Sequence, residues 1–357
     1  MPETTTLTGR AGTGSPRSTP TATAERRSGP FTTRSHRRRY VATMAVLGTL
    51  ALAITVGLLT YGNPMDVGTD GYWRIVDLRV SSVLVILVVA FCHAFATVSF
   101  QTATGNRIIT PSIMGFEALY VLIQTGAVFV FGASGVLLVT GTHQFLLQAA
   151  LMVALATALY GWLLSGRFGD IHIMLLVGVI LGGGLGALST FMQRLLTPSE
   201  FDILTARLFG NVGNADAEYL PWAIPIALVA GGVLLARARR LDVLALGREP
   251  TTNLGLNHRR EVMLVLLLVS VLMAMTTALV GPMTFLGFLV AMLAYQLADT
   301  YDHRLLLPMA FLLGYVVLGG AYFVLRHVFY AQGMVTIIVE LVGGLVFLVH
   351  IVRKGRL

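Results

Sequence analysis

Ten apolar segments dominate the chain, at 40–61, 80–102, 112–132, 144–164, 171–193, 219–237, 261–280, 285–298, 305–325 and 334–352. Most hold the ~20 residues that an α-helix needs to cross a hydrocarbon layer. Backbone groups in lipid must be satisfied within the protein, so runs of this kind point to an all-α membrane protein. Composition removes the soluble alternative. Only 12% of the 357 residues are charged and the mean hydropathy is +0.78, whereas a soluble domain carries roughly 25% charged residues. The 38 glycines fit helices whose backbones approach closely.

Charge placement supplies an orientation. Residues 1–39 hold eight arginines against Glu3 and Glu25, are rich in Thr, Ser, Pro and Gly, and lack hydrophobic periodicity. They read as a disordered, basic cytoplasmic tail, with 40–357 as the transmembrane domain. Arg37, Arg38 and Arg39 abut the first apolar run as an anchor would. The length of that run, with no small-residue cleavage site after it, argues against a twin-arginine export signal. Threading ten spans alternately from an internal N-terminus puts 20 basic residues inside and five outside: Arg74, Arg79, Arg194, Arg207 and Arg326. The positive-inside rule therefore favours both termini in the cytoplasm. The net charge of +8 is accounted for by topology, so nucleic acid is not an expected partner and membrane lipid is.

Three stretches depart from simple crossings. The run after Gly281-Pro282 is too short to span comfortably and is expected to sit among other helices. The stretch 196–217 is a polar external loop with a short amphipathic run, expected to form a re-entrant or surface helix. The stretch 238–260 is a long cytoplasmic loop mixing apolar and charged residues, which suits short helices that dock a partner. Within it, Leu246-Gly247 and Leu254-Gly255 bracket about two helical turns. Pro250 fits a first turn, and Arg248 and Glu249 lie near its start.

Several activities lack their residues. Cys92 is alone, so no intrachain disulfide or two-thiol metal site forms. The single lysine, Lys354, is followed by Gly355, and no Gly-Lys-Ser/Thr P-loop exists. No HExxH occurs and no metal or catalytic set is legible, so no enzymatic role and no cofactor within this chain is expected. If ATP drives the protein, another chain binds ATP and its Mg. Two uses remain for the external arginines: meeting acidic groups of a docking protein, or pairing with lipid phosphates and local carboxylates such as Asp77, Glu200 and Asp202. Polar residues inside the spans are His93, Gln101, Glu117, Gln124, Gln148, His172, Gln296 and Glu340. Such groups face the bundle or a water-filled path. Glu340, seven residues into the last span, is the leading pathway candidate with Gln101. Glu117 and His172 fall at span boundaries, and Glu117 is expected to cap a cytoplasmic helix start or meet water. A proton-coupled transporter with Glu340 or His93 as relay is the competing reading.

The motifs resemble a known family. DLRVSSVLVILVVAFCHAFATVSFQTATGNRIITPSIMGFEALY, from Asp77, is similar to the second and third helices of iron-siderophore and vitamin B12 import permeases. Arg79, Gln101, Asn106-Arg107, Pro111-Ser112 and Gly115 fall in the family's order. LGREPTTNLG resembles its cytoplasmic coupling region, which makes Leu246, Gly247, Arg248, Glu249, Asn253, Leu254 and Gly255 the coupling candidates. Gly281, Phe285 and Gly287 match a Gly-x-x-x-Phe-x-Gly segment that ends in Asp302 through Pro308. Two departures stand out: Ala291-Met292 in place of Pro-His, and Tyr330-Ala331-Gln332-Gly333 in place of Glu-x-Pro-x-Gly. With FQTATGNRIITPSIMG they bring the chain closer to the ferric catecholate-type siderophore branch than to vitamin B12. The resemblance spans about 40–357. It implies ten helices in a type II ABC importer permease bundle of the inner membrane and two ATPase subunits on the coupling loops. It also implies a second permease, as a different homologous chain or a second copy, and an extracellular or periplasmic siderophore-binding protein. The region 189–210 would contribute to the external gate.

Overall fold

The structure, a computed structural model, describes residues 29–31, 33–138, 141–165, 171–208, 211–330 and 334–354. Among them the chain is helical, with no strand. Eight helices are long and apolar enough to cross a membrane, and two shorter apolar ones accompany them. The ten are α1 (Arg34–Thr60), α2 (Asp70–Thr104), α3 (Glu117–Leu138), α4 (Thr142–Ser165), α5 (Ile171–Gln193), α7 (Leu220–Ala236), α10 (His258–Val280), α11 (Thr284–Ala298), α12 (His303–His327) and α13 (Val335–Lys354). Three connecting helices complete the set: α6 (Pro198–Leu208), α8 (Ala238–Leu244) and α9 (Arg248–Asn253). Each apolar run of the sequence is thus a helix, and the three irregular stretches are the short α11, the α6 region and the α8–α9 pair.

The bundle is built around α2. Its side from Val83 to Thr104 is buried almost continuously, and α10, α12, α7 and α11 pack on it. Lipid is as apolar as leucine, so close packing must hold these helices together. Small residues permit it. At the head of α3, a short π-type turn (Ser112–Phe116) runs into the helix, and Gly115 there lies against Gly182 of α5. A Cβ built on Gly182 would stand 2.9 Å from the Gly115 Cα. Gly115 also has φ +98, which a side chain would resist.

Two sequence expectations need correction. The tail expected to be disordered through residue 39 is instead helical from Arg34, where α1 begins. Thr33 caps it, its Oγ1 accepting from the His36 N–H at 3.2 Å. Nearby, Gly29 and Pro30 lie along the turn before α12. Thr300 Oγ1 donates to the Pro30 carbonyl at 2.8 Å, and Phe31 packs its ring on Tyr40. Residues 1–28 lie outside the described residues. The second correction concerns Glu117. It is not at a water-facing boundary but buried at the start of α3, Thr284 Oγ1 donating to its carboxylate. The cause is the 105–116 segment, which enters the bundle before α3 begins.

Candidate functional site

One end of the bundle carries the α8–α9 pair. Glycines set its geometry: Gly247, at φ +96, precedes α9, and Gly255, at φ +83, follows it. Thr251 is fully buried and locks the two helices, its Oγ1 lying 2.6 Å from the Gly247 carbonyl and 3.1 Å from that of Val243. The remaining side chains face out. Leu246 and Leu254 are each 61% exposed, and Arg248, Glu249, Asn253 and Gly255 are exposed beside them. Two apolar side chains flanked by an Arg and a Glu, on a preformed helical knob, make a surface suited to a protein partner.

Polar ties hold this knob to the bundle. Arg237 and Arg240 both pair with Glu261 at the start of α10, Arg240 at 2.8 Å. Asp242 of α8 reaches His303 at the start of α12. The carboxylate accepts the His303 backbone N–H at 3.0 Å and the ring Nδ1 at 2.6 Å. The other ring nitrogen lies 2.7 Å from Thr102 Oγ1 in the last turn of α2. Sequence reasoning singled out His303 only as part of a motif and passed over Asp242, Thr102 and Thr251. The pairing of His303 with Asp242 and with Thr102 spans 61 and 201 positions, which no local spacing reveals.

The five arginines assigned to the outside lie toward the opposite end of the bundle, Arg74, Arg194, Arg207 and Arg326 near helix ends and Arg79 more than two turns into α2. They differ in what they do. Arg74 and Arg194 are exposed, and Arg207 and Arg326 are half-buried. Arg326 lies 3.4 Å from the Tyr322 hydroxyl. Arg79 is 6% exposed and is not a surface group. Its guanidinium donates to the carbonyls of Leu58, Leu59, Tyr61 and Gly62 at 2.8–3.4 Å, satisfying the end of α1. That removes it from the residues a docking protein can touch.

Among polar groups inside the bundle, Gln101 is also committed to structure, its Nε2 donating to the Arg107 carbonyl at 2.7 Å. It holds the turn after α2, and its Oε1 is buried with no hydrogen-bond partner. His93 is buried against Gly287 of α11 with neither ring nitrogen hydrogen-bonded. Gln124 and Gln148 join at 2.9 Å in a chamber of about 280 Å³ that Tyr120, Arg207 and Tyr219 also line. Glu340 projects from α13 on an exposed face with Ile337, Leu341 and Val342. His172 has a side chain outside the described set. Among the described residues no group of three or more His, Cys, Asp or Glu is placed to hold a metal ion.

Comparison with known proteins bears on these features. The model of the FecCD transport family matches residues 42–353. The petrobactin import system permease protein FatC of Bacillus anthracis is 46% identical over 332 residues, 93% of this chain and 94% of that protein. The petrobactin import system permease protein YclO of Bacillus subtilis is 34% identical over 313 residues, 88% and 98% respectively. The ferric enterobactin transport system permease protein FepD of Escherichia coli is 26% identical over 284 residues, 79% and 83%. A solved metal-chelate type ABC transporter in an inward-facing conformation superposes with a TM-score of 0.75 at 22% identity, over 88% of this chain and 99% of its own.

Proposed function

The chain belongs to the FecCD transport family, and from that membership we propose that it is the membrane-spanning permease of an ATP-driven ferric-siderophore importer. Two relatives that cover nearly its whole length import petrobactin, and we take ferric petrobactin or a close chelate as the cargo. The one structural observation that carries the reading is the α8–α9 knob. It presents Leu246, Arg248, Glu249, Asn253 and Leu254 outward, while Thr251, Asp242 and Glu261 tie it inward. A surface of this kind has no use in lipid and suits a motor that docks from water.

We assign ATP and Mg to two separate ATPase subunits seated there, in keeping with the missing P-loop. The α8–α9 end then faces the cytoplasm with both termini. The end carrying Arg74, Arg194, Arg207 and Arg326 receives an external binding protein. Glu340 supports the path's position. An ionisable side chain on the exposed face of a membrane helix is costly against lipid, so that face of α13 belongs against water or a second permease, either a homologous chain or another copy. The carrier performs no chemistry; ATP binding shifts the population between outward and inward access.

Replacing both residues, Arg248→Ala with Glu249→Ala, is expected to leave the chain inserted and to reduce ATPase co-purification at least ~10-fold, the scale of a lost interfacial hot spot. Unchanged co-purification would overturn the docking assignment. Uptake of ferric petrobactin that survives ATP depletion and collapses with a protonophore would instead favour proton coupling.

A further inference from the structure

We infer that His303 is the joint through which displacement of the α8–α9 knob reaches α2, the buried helix on which the bundle packs. The inference rests on the importer reading above, since it concerns how a motor's movement enters the permease. The knob moves as one piece, because buried Thr251 ties α9 to the Val243 carbonyl of α8. It meets the bundle through two polar contacts of different stiffness.

The first is Glu261 of α10 held by Arg237 and Arg240. Arg240 is half exposed, at 50%, and its long side chain follows a moving helix by rotating about its own bonds. The second is His303. Its side chain is 4% exposed and its planar ring bridges Asp242 at 2.6 Å to Thr102 at 2.7 Å. An imidazole has no internal freedom, and its place at the first position of α12 fixes its backbone. Asp242 fixes it further by accepting the same residue's N–H, one of the free donors at a helix start.

Well-formed hydrogen bonds run to about 3.2 Å and weaken beyond it. From 2.6 and 2.7 Å, a displacement of α8 beyond roughly 0.5 Å therefore breaks the bridge or carries the starts of α12 and the end of α2 with it. A carboxylate serving only as a cap for α12 would need the backbone contact and no more. The ring's second contact, to a different helix, is the feature a cap does not explain. Because α10, α12, α7 and α11 all pack on α2, movement of its end is felt throughout the bundle.

The test uses the complete importer, permeases with ATPases, in proteoliposomes with binding protein and radiolabelled ferric petrobactin, scoring iron taken up per ATP hydrolysed. His303→Ala and Thr102→Val are expected to retain bound ATPase and its hydrolysis while uptake per ATP falls about 10-fold, within the range of measured site-to-site coupling. His303→Gln, whose amide can donate to Asp242 and keep a second polar atom toward Thr102, should recover most of the loss. A packing role alone would not yield hydrolysis without uptake, nor rescue by a smaller polar side chain. Wild-type uptake per ATP in Thr102→Val, which removes the hydroxyl from the ring as well as from Tyr295 and the Val98 carbonyl, would overturn the inference even if His303→Ala failed to assemble. A wild-type complex that showed no ATP-dependent uptake would overturn the importer reading, and this inference with it.

Discussion

Arg79 shows how one side chain can sit in the expected place and perform a different task. It lies toward the same end of the bundle as the other four outer arginines, yet burial and four backbone carbonyls commit it to closing α1. Hydrogen bonds from charged donors are worth about 1.5–3 kcal/mol where desolvated. Arg79→Met is therefore expected to cost about 2–3 kcal/mol of stability, read as a lower melting temperature in detergent, with binding-protein affinity little changed in the fraction that remains folded. A selective loss of that affinity at unaltered melting temperature would return Arg79 to the docking surface. Sequence alone separated the five outer arginines as a class because charge sign and span alternation are visible in it. It did not separate Arg79 from Arg74, because burial depends on how residues 61–69 fold back, and contacts 17 to 21 positions apart follow no period.

At the scale of elements, hydropathy located all ten apolar helices because each is an apolar run set off by polar residues, eight of them long enough to span, whereas depth within the bundle left no comparable mark. Glu117 illustrates the limit: the turn at Ser112–Phe116 lies inside the bundle, so the start of the apolar run is not the membrane boundary. The close contact of α3 with α5 depends on that turn. Gly182→Val would drive a Cβ to 2.9 Å from the Gly115 Cα, and overpacking of this kind costs about 1–3 kcal/mol. Gly183 has nothing within 4 Å of its own would-be Cβ. Thermal melting should therefore fall for Gly182→Val and stay near wild type for Gly183→Val. Equal melting of the two would show that the helices separate freely. The short helices of the α8–α9 knob were legible from its glycines and its mixed apolar and charged residues, but its attachment through Asp242 and His303 was not, being a meeting of three distant segments.

Taken whole, the molecule sorts its basic residues between two ends, with Arg194 at one and Arg248 at the other. Each is exposed, so each can report the orientation. Cys92 is fully buried, and with Cys92→Ser as background, a membrane-impermeant maleimide is expected to label Arg194→Cys in intact cells. Arg248→Cys should react only after the membrane is opened. The reverse pattern would invert the topology proposed from the positive-inside rule.

The position of α2 at the centre also governs how the chain comes into being. The ribosome releases α2 about 150 residues before α10, its principal cover, and still earlier relative to α12. At ~5–20 residues per second, α2 waits on the order of ten seconds in lipid with His93 and Gln101 lacking their eventual surroundings. A nascent chain that stalls before α10 therefore strands its most polar buried helix in the bilayer. Such an orphan is the form that membrane quality control would meet first.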